Sequence, residues 1–360
     1  MSRPAAKALV AGPGPRPVLY GDLRRWALIA ADSLRLLCQL PAASVDAVIT
    51  DPPYGLAFKE EAWDSGELAT PDGLQAFSHA WAEQARLVLR PGGHLLCFGS
   101  PRTFHRLVAG VEDAGLEIRD VLLWLHAAGV PKSMRLAGGR GTALKPAYEP
   151  ILLARAPLPA GSTVSGTIAR YGTGALNIDA TRLPRPAAEE GYWPSHLLLA
   201  HREDCASREA GGLGCRPDCP VPLIDRLGGD ALDGSLSRLF YAAKASRAER
   251  EAGCERLPVE RTPTFSGPKL ARARANVHPT VKPLDLMRWL VRLSAPPGGV
   301  VLDPFTGSGS TGCAAVLEGR QFIGIERDER YLPIARARLT HWTHLAATTL
   351  SHQTGNAPNR

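Results

Sequence analysis

Residues 300–326 constrain this chain more than any other stretch. They read VVLD, then PFTGSGSTG, then an apolar run over 309–318, then QFIGIE. Two short apolar segments separated by a Gly-rich turn and one helix of chain form a β-α-β unit, because neighbouring parallel strands need a crossover of that length. Gly307, Gly309 and Gly312 allow a tight turn and let a ligand come close to the helix N-terminus. They also match G-x-G-x-x-G, a pattern that is weak on its own. The phosphate-loop reading fails, since no lysine precedes Ser310 or Thr311. Glu326 closes the second strand, where an acid can accept both hydroxyls of a ribose. The unit therefore suits an adenosine-containing ligand, either a dinucleotide or S-adenosylmethionine. Asp303 and Phe305 lie inside the turn, which fits a charged amino-acid tail better than a pyrophosphate.

A second block with the same alternation spans 18–125. It carries strand-like runs at 45–50 (VDAVIT) and 94–99 (HLLCFG), with helices expected over 73–89 and 103–114. Asp51-Pro52-Pro53-Tyr54 stands directly after VDAVIT. In open α/β sheets, ligands bind beyond the carboxyl ends of strands. Two prolines fix the backbone there, giving the Pro52 carbonyl a set direction. An acid and a fixed carbonyl can take both hydrogens of a planar, conjugated amine. That draws its lone pair out of the ring plane and aims it at an electrophile, while Tyr54 offers a face on which a ring can stack. An ordinary proline turn carries the same four letters; placement at a strand end favours the chemical reading. Near the other end, His278-Pro279-Thr280-Val281-Lys282-Pro283 precedes a helix expected over 284–294. Alone it is a cationic turn leading into a helix. Its nearness to the Gly-rich unit makes Lys282 a candidate for the ligand's carboxylate. A last helix is expected over 331–339.

Together these three motifs resemble the DNA amino-methyltransferases, in particular the circularly permuted (beta) class of N6-adenine and N4-cytosine methylases, in which the catalytic motif comes first, then a target-recognition region, then the cofactor motifs. Softer segments agree: Arg90-Pro91-Gly92-Gly93-His94 with Phe98-Gly99 looks like the strand after the catalytic helix, and Ala31-Asp32-Ser33-Leu34 looks like the family's Gly-Asp-x-Leu, with Ala in place of Gly. The resemblance implies an α/β, Rossmann-like S-adenosylmethionine-dependent methyltransferase fold: a mainly parallel twisted sheet flanked by helices, circularly permuted, with a loop-rich inserted target-recognition region. It implies that Asp51 and Pro52 hold the target amine, that Pro53 belongs to the same catalytic motif, and that Tyr54 stacks on a base flipped out of duplex DNA. S-adenosyl-L-methionine would be bounded by Asp32, His278, Lys282, Pro283, Asp303, Pro304, Phe305, Gly307, Gly309, Thr311 and Glu326, with Asp32 touching the adenine. Asp rather than Ser at position 51 looks like the adenine members. N4-cytosine methylation by the same site stays open, as does RNA or protein amine methylation, which the motif order disfavours. A plain nicotinamide oxidoreductase leaves residues 51–54 and 278–283 without a task.

The middle of the chain, 126–277, is rich in Gly, Pro, Arg and Ala and reads as an insertion with few strands, the clearest at 149–154. Between Val121 and Tyr148 there is no Asp or Glu, while Lys132, Arg135, Arg140 and Lys145 are basic; they are expected to contact phosphate of double-stranded DNA. His201-x3-Cys205 and Cys215-x3-Cys219 offer four soft ligands suited to a structural zinc, although free packing cysteines explain them equally. Residues 1–17 and 346–360 are expected to be a loose arm and tail. The net charge of +7 and pI near 9.2 agree with a polyanionic partner but are too mild to identify one. The seven cysteines, an odd number, and the lack of a signal-like or long apolar segment lead to the expectation of a reduced, cytoplasmic protein with no membrane contact. A homodimer and a cognate restriction enzyme are compatible partners.

Overall fold

A computed structural model describes residues 18–57, 61–126, 136–144, 146–183, 190–199, 240–241, 244–264 and 267–354. Its core is a ten-stranded sheet. The strands are β1 (Val18–Tyr20), β2 (Trp26–Ala30), β3 (Val45–Thr50), β4 (Leu89–Phe98), β5 (Glu117–Leu125), β6 (Tyr148–Arg155), β7 (Leu197–Leu199), β8 (Phe240–Tyr241), β11 (Val300–Asp303) and β12 (Gln321–Glu326). A separate antiparallel hairpin is formed by β9 (Glu260–Thr264) and β10 (Gly267–Arg274). The sheet order is β1-β2-β12-β11-β3-β4-β6-β5-β7-β8. From β2 through β4 every pairing is parallel, and β6 runs antiparallel between β4 and β5.

The helices are α1 (Ser33–Leu37), α2 (Pro71–Val88), α3 (Phe104–Asp113), α4 (Val164–Tyr171), α5 (Arg247–Glu251), α6 (Leu284–Ser294), α7 (Ser310–Leu317) and α8 (Leu332–Thr354). Alternate strand residues feed two cores. Ala47, Ile49, Leu96 and Phe98 pack with α6, α7 and α8 on one face. Val48, Leu95 and Cys97 pack with α1, α2 and α3 on the other. Both faces of the central strands are thus covered, which is why every residue of VDAVIT is buried rather than alternating with exposed ones. The helix α2 starts at Pro71, two residues before the expected start. Thr70 caps it by accepting from the Gly73 amide at 3.1 Å, and Leu74, Trp81, Ala82, Ala85 and Val88 form its buried stripe.

Two expectations about organisation need correction. The segment treated as an insertion from residue 126 contributes β6 to the centre of the sheet, with Ile151–Phe98 and Ile151–Leu122 registers; apolar residues on both its faces drive it there. The last helix does not end near 339 and leave a loose tail from 346; α8 continues to Thr354. Pro333 sits in its first turn, where a missing amide costs nothing.

The fold brings the two chemical motifs together. Strands β3 and β11 are neighbours in parallel register, Val301 beside Ala47 and Leu302 beside Val48. Both chain segments therefore reach the same edge of the sheet at their carboxyl ends. Beneath them, buried Asp46 accepts from the Val300 amide at 2.7 Å and pairs with Arg90 at 2.9 Å, locking the two strands at their other end.

Candidate active site

A cavity of about 1470 Å³ opens at the carboxyl ends of β3 and β11. Asp32, Asp51, Pro52, Pro53, Tyr54, His278, Lys282, Asp303, Pro304, Phe305, Gly307, Thr311 and Glu326 all line it. Pro283 and Gly309 are not on its wall. Pro283 instead occupies the N-cap position of α6, and Gly309 has φ +80°, where a Cβ would lie 3.3 Å from the Ala335 Cα.

One half of the cavity is built around the Gly-rich turn. Asp303 is buried and accepts from the Thr50 hydroxyl at 2.7 Å and the Phe305 amide at 3.0 Å. Burial pushes its carboxyl up to about 6, against the hydrogen bonds from Thr311, Thr50 and the Phe305 amide. A buried acid held so high is poised to gain from a cationic ligand group. Gly307 has φ +52°, and a Cβ on it would lie 2.6 Å from Nε2 of His278, so only glycine fits. His278 is half-buried, packs edge-on to Tyr331 with centroids 4.5 Å apart, and is held neutral by desolvation and the nearby cations Arg250 and Lys282, its pKa lowered to about 3. The ring of Phe305 packs against Phe77 and Trp81, each 5.7 Å away. The carboxylate of Glu326 accepts from the amides of Gly307 and Asp328, each at 2.7 Å, so it shapes the turn as well as facing the cavity. Asp32 caps α1 by accepting from the Arg35 amide and lies 3.7 Å from Arg327.

The other half surrounds Asp51. The Tyr54 hydroxyl donates to Asp51 Oδ1 at 2.5 Å, and the Lys282 ammonium donates to Oδ2 at 2.5 Å. Lys282 also lies 3.4 Å from Glu149 and 4.8 Å above the Phe98 ring. Lys282, expected to serve a ligand carboxylate, thus faces Asp51 and Glu149 across the cavity it shares with the Gly-rich turn. Two acids from β3 and β6 draw the ammonium to the opposite half, and though burial disfavours its charge, their attraction holds its pKa above the ordinary lysine value. Burial raises the Asp51 carboxyl, while Lys282 and Tyr54 work in the other direction. Glu149, despite its burial, is driven down to about 2 by Lys282, His126 and Lys244.

With this geometry in place, comparison with known proteins is informative. A family model described as DNA methylase, the N6/N4 methylase model, matches residues 45–337. The chain belongs to that family. Among curated relatives of the methylase, Type II methyltransferase M2.LlaDCHI of Lactococcus lactis subsp. cremoris is 23% identical over 331 residues, covering 89% of this chain and 91% of its own. Type II methyltransferase M.HindIII of Haemophilus influenzae is 22% identical over 357 residues, covering 86% and 93%. The solved PvuII DNA methyltransferase, a cytosine-N4-specific enzyme, matches at 17% identity with a TM-score of 0.51, over 91% of this chain and 93% of its own, and supports the methyltransferase fold.

Several residues that organise the methylase site were not singled out from the sequence. Asp64, 1% exposed, accepts from three consecutive amides of the turn after Asp51: Tyr54 at 2.8 Å, Gly55 at 2.7 Å and Leu56 at 3.1 Å. The Thr103 hydroxyl donates to the Tyr54 carbonyl at 2.7 Å from the start of α3. Glu149 opens β6, and the short helix α5 anchors the 278–283 segment: Glu249 accepts from the Leu284 amide at 2.6 Å, and Arg250 donates to the His278 carbonyl at 2.8 Å. The available signal was slight: an acid in the loop KEEAWDSG, and an acid at the head of an otherwise apolar strand.

Of the expected DNA contacts, Arg140 is exposed in a loop whose neighbours Ala143 and Leu144 line the cavity, and its Nε donates to the Ala137 carbonyl. Lys132, Arg135 and Lys145 lie outside the described residues, as do the four expected zinc ligands His201, Cys205, Cys215 and Cys219. Among the described residues there is no metal-binding cluster, and no helix is long and apolar enough to cross a membrane.

Proposed function

We propose that this methylase transfers a methyl group from S-adenosylmethionine to the N6 amine of a flipped-out adenine in double-stranded DNA. The observation that carries the reading is the buried bond between Thr50 on the catalytic strand and Asp303 of the Gly-rich turn, which makes one cavity of the two motifs. The residues present fit the cofactor: Asp303 offers a buried acid to an α-amino group, Gly307 gives close approach to the backbone, and Glu326 and Asp32 face the nucleoside side. When bound, S-adenosylmethionine supplies an electrophilic methyl group on a sulfonium.

Everything else falls to the protein. The Asp51 carboxylate and the Pro52 carbonyl take the two amine hydrogens and so direct the nitrogen lone pair into the cavity. Tyr54 stacks on the base and, through its hydroxyl, holds Asp51 in place. The proton shed by the methylated amine passes to the Asp51 carboxylate, whose affinity for it burial increases. Flipping is required because the amine is out of reach within a stacked duplex. Arg140 would meet phosphate beside the cavity mouth. Asp at position 51, by resemblance, supports adenine over cytosine.

The test is long-read modification sequencing of DNA from cells expressing the chain, beside an Asp51→Ala control. N6-methyladenine at one short motif, absent in the control, is the expected result. N4-methylcytosine would retain the site and overturn the choice of base; no modified DNA from a soluble, cofactor-binding protein would overturn the DNA reading.

A further inference from the structure

Both oxygens of Asp51 are already engaged within the protein: Oδ1 by the Tyr54 hydroxyl and Oδ2 by the Lys282 ammonium, each at 2.5 Å. Each oxygen keeps a second lone pair, but an amine hydrogen that shares Oδ2 must compete there with a charged donor at 2.5 Å, so its bond is strongest when that donor yields. Tyr54 and Asp51 belong to one short turn pinned by Asp64 and Thr103, so the hydroxyl has little room to move. Lys282 is different. It ends a flexible four-carbon stem, and a second carboxylate waits beside it. Glu149 Oε2 is buried, accepts no hydrogen bond among the described residues, and lies 3.4 Å from the ammonium. An approach of roughly 0.6 Å would turn that ionic contact into a charge-assisted hydrogen bond near 2.8 Å. Behind Glu149, His126 Nε2 lies 3.5 Å from Oε1, so the acid is backed on its far side as well.

We propose that Glu149 is a positioning residue that takes over the Lys282 ammonium from Asp51 when the target amine arrives, so that Lys282 guards Asp51 between turnovers and frees it for catalysis. No proton changes owner in this step; one ammonium exchanges one carboxylate partner for another. The exchange costs little because the ammonium stays buried and paired throughout, still over the Phe98 ring. The nearby Lys244 and His126 face Glu149 rather than Asp51, so they favour the receiving acid's ionised form. The proposal rests on the reading of Asp51 as the residue that holds the target amine.

A double-mutant cycle tests it. Single-turnover transfer of tritiated methyl from S-adenosylmethionine to unmodified plasmid DNA is measured for wild type, Glu149→Gln, Lys282→Met and the pair, with cofactor affinity measured by calorimetry. With no receiving acid, Lys282 stays on Asp51 and competes with the amine. E149Q is expected to slow transfer about tenfold, a coupling within the range for contacting charged residues, with cofactor affinity unchanged. In the K282M background the same change should alter the rate by less than about twofold, because there is no ammonium to receive. Glu149→Asp, which keeps the charge, should restore most of the rate. Equal E149Q effects in both backgrounds, no effect in either, or an E149D as slow as E149Q would overturn the proposal. A wild-type protein that transfers nothing to DNA would overturn the methylation reading instead, a distinct outcome.

Discussion

Replacing Asp64 by alanine should disable the catalytic turn while sparing the cofactor half of the cavity. One buried carboxylate accepts from the amides of Tyr54, Gly55 and Leu56 at 2.7–3.1 Å, joining three consecutive residues of that turn to one acceptor. A hydrogen bond to a charged group contributes about 1.5–3 kcal/mol, but these three share one acceptor and their donors are half-buried, so water can replace part of the loss. The expected cost in stability is therefore about 2–4 kcal/mol, not three times a single bond. The kinetic cost should be larger. Tyr54 would lose its amide anchor and keep only the Thr103 bond to its carbonyl, and a displacement of about 1 Å in a positioning group can cost on the order of a hundredfold in rate. Asp64→Asn should lie between: its remaining carbonyl oxygen can accept from Tyr54 and Gly55, while its amide would face the Leu56 donor. The assay pairs single-turnover methyl transfer with calorimetric cofactor binding and thermal denaturation. A D64A protein that methylates within twofold of wild type, with an unchanged melting temperature, would refute the claim that this carboxylate holds the turn.

Two further outcomes follow from the cofactor half. Asp303 has its folded pKa raised to about 6 from 3.8, so the native state binds more protons than the unfolded chain between those values, and stability falls as pH rises through that window and then levels off. Asp303→Asn should accordingly stabilise the ligand-free protein at pH 8 by up to about 3 kcal/mol while abolishing cofactor binding, and wild-type cofactor affinity should weaken below about pH 6; denaturant melts and calorimetry across pH 5–8 check all three. Gly307→Ala should cost about 1–3 kcal/mol, because it forces a side chain into a left-handed conformation and against the His278 ring, and should weaken cofactor binding more than DNA binding; a G307A protein with wild-type cofactor affinity would count against the close-approach argument.

The chemistry was legible where it was local. The run 51–54 at a strand end and the Gly-rich turn after VVLD each carry their meaning within a dozen residues, because a proline pair, a glycine at positive φ or a strand-terminal acid constrains backbone that is contiguous in sequence. Their order along the chain placed it in the permuted class, and the described structure has the fold this implied. Periodicity also located β3, β11, β12 and α6 within a residue, since each is uniformly apolar or strongly amphipathic. What the sequence could not fix was partnership across long separations. That β6 completes the sheet centre, that Asp64 underpins the catalytic turn, and that α5 anchors the 278–283 segment all depend on contacts between residues whose own neighbourhoods give no hint of them. Lys282 is the sharpest case. Its sequence neighbours place it beside the cofactor motifs, yet its ammonium goes to Asp51, 231 positions away, because in a buried site a charge settles where opposite charges are closest, and only the folded chain brings Asp51 and Glu149 to the same place.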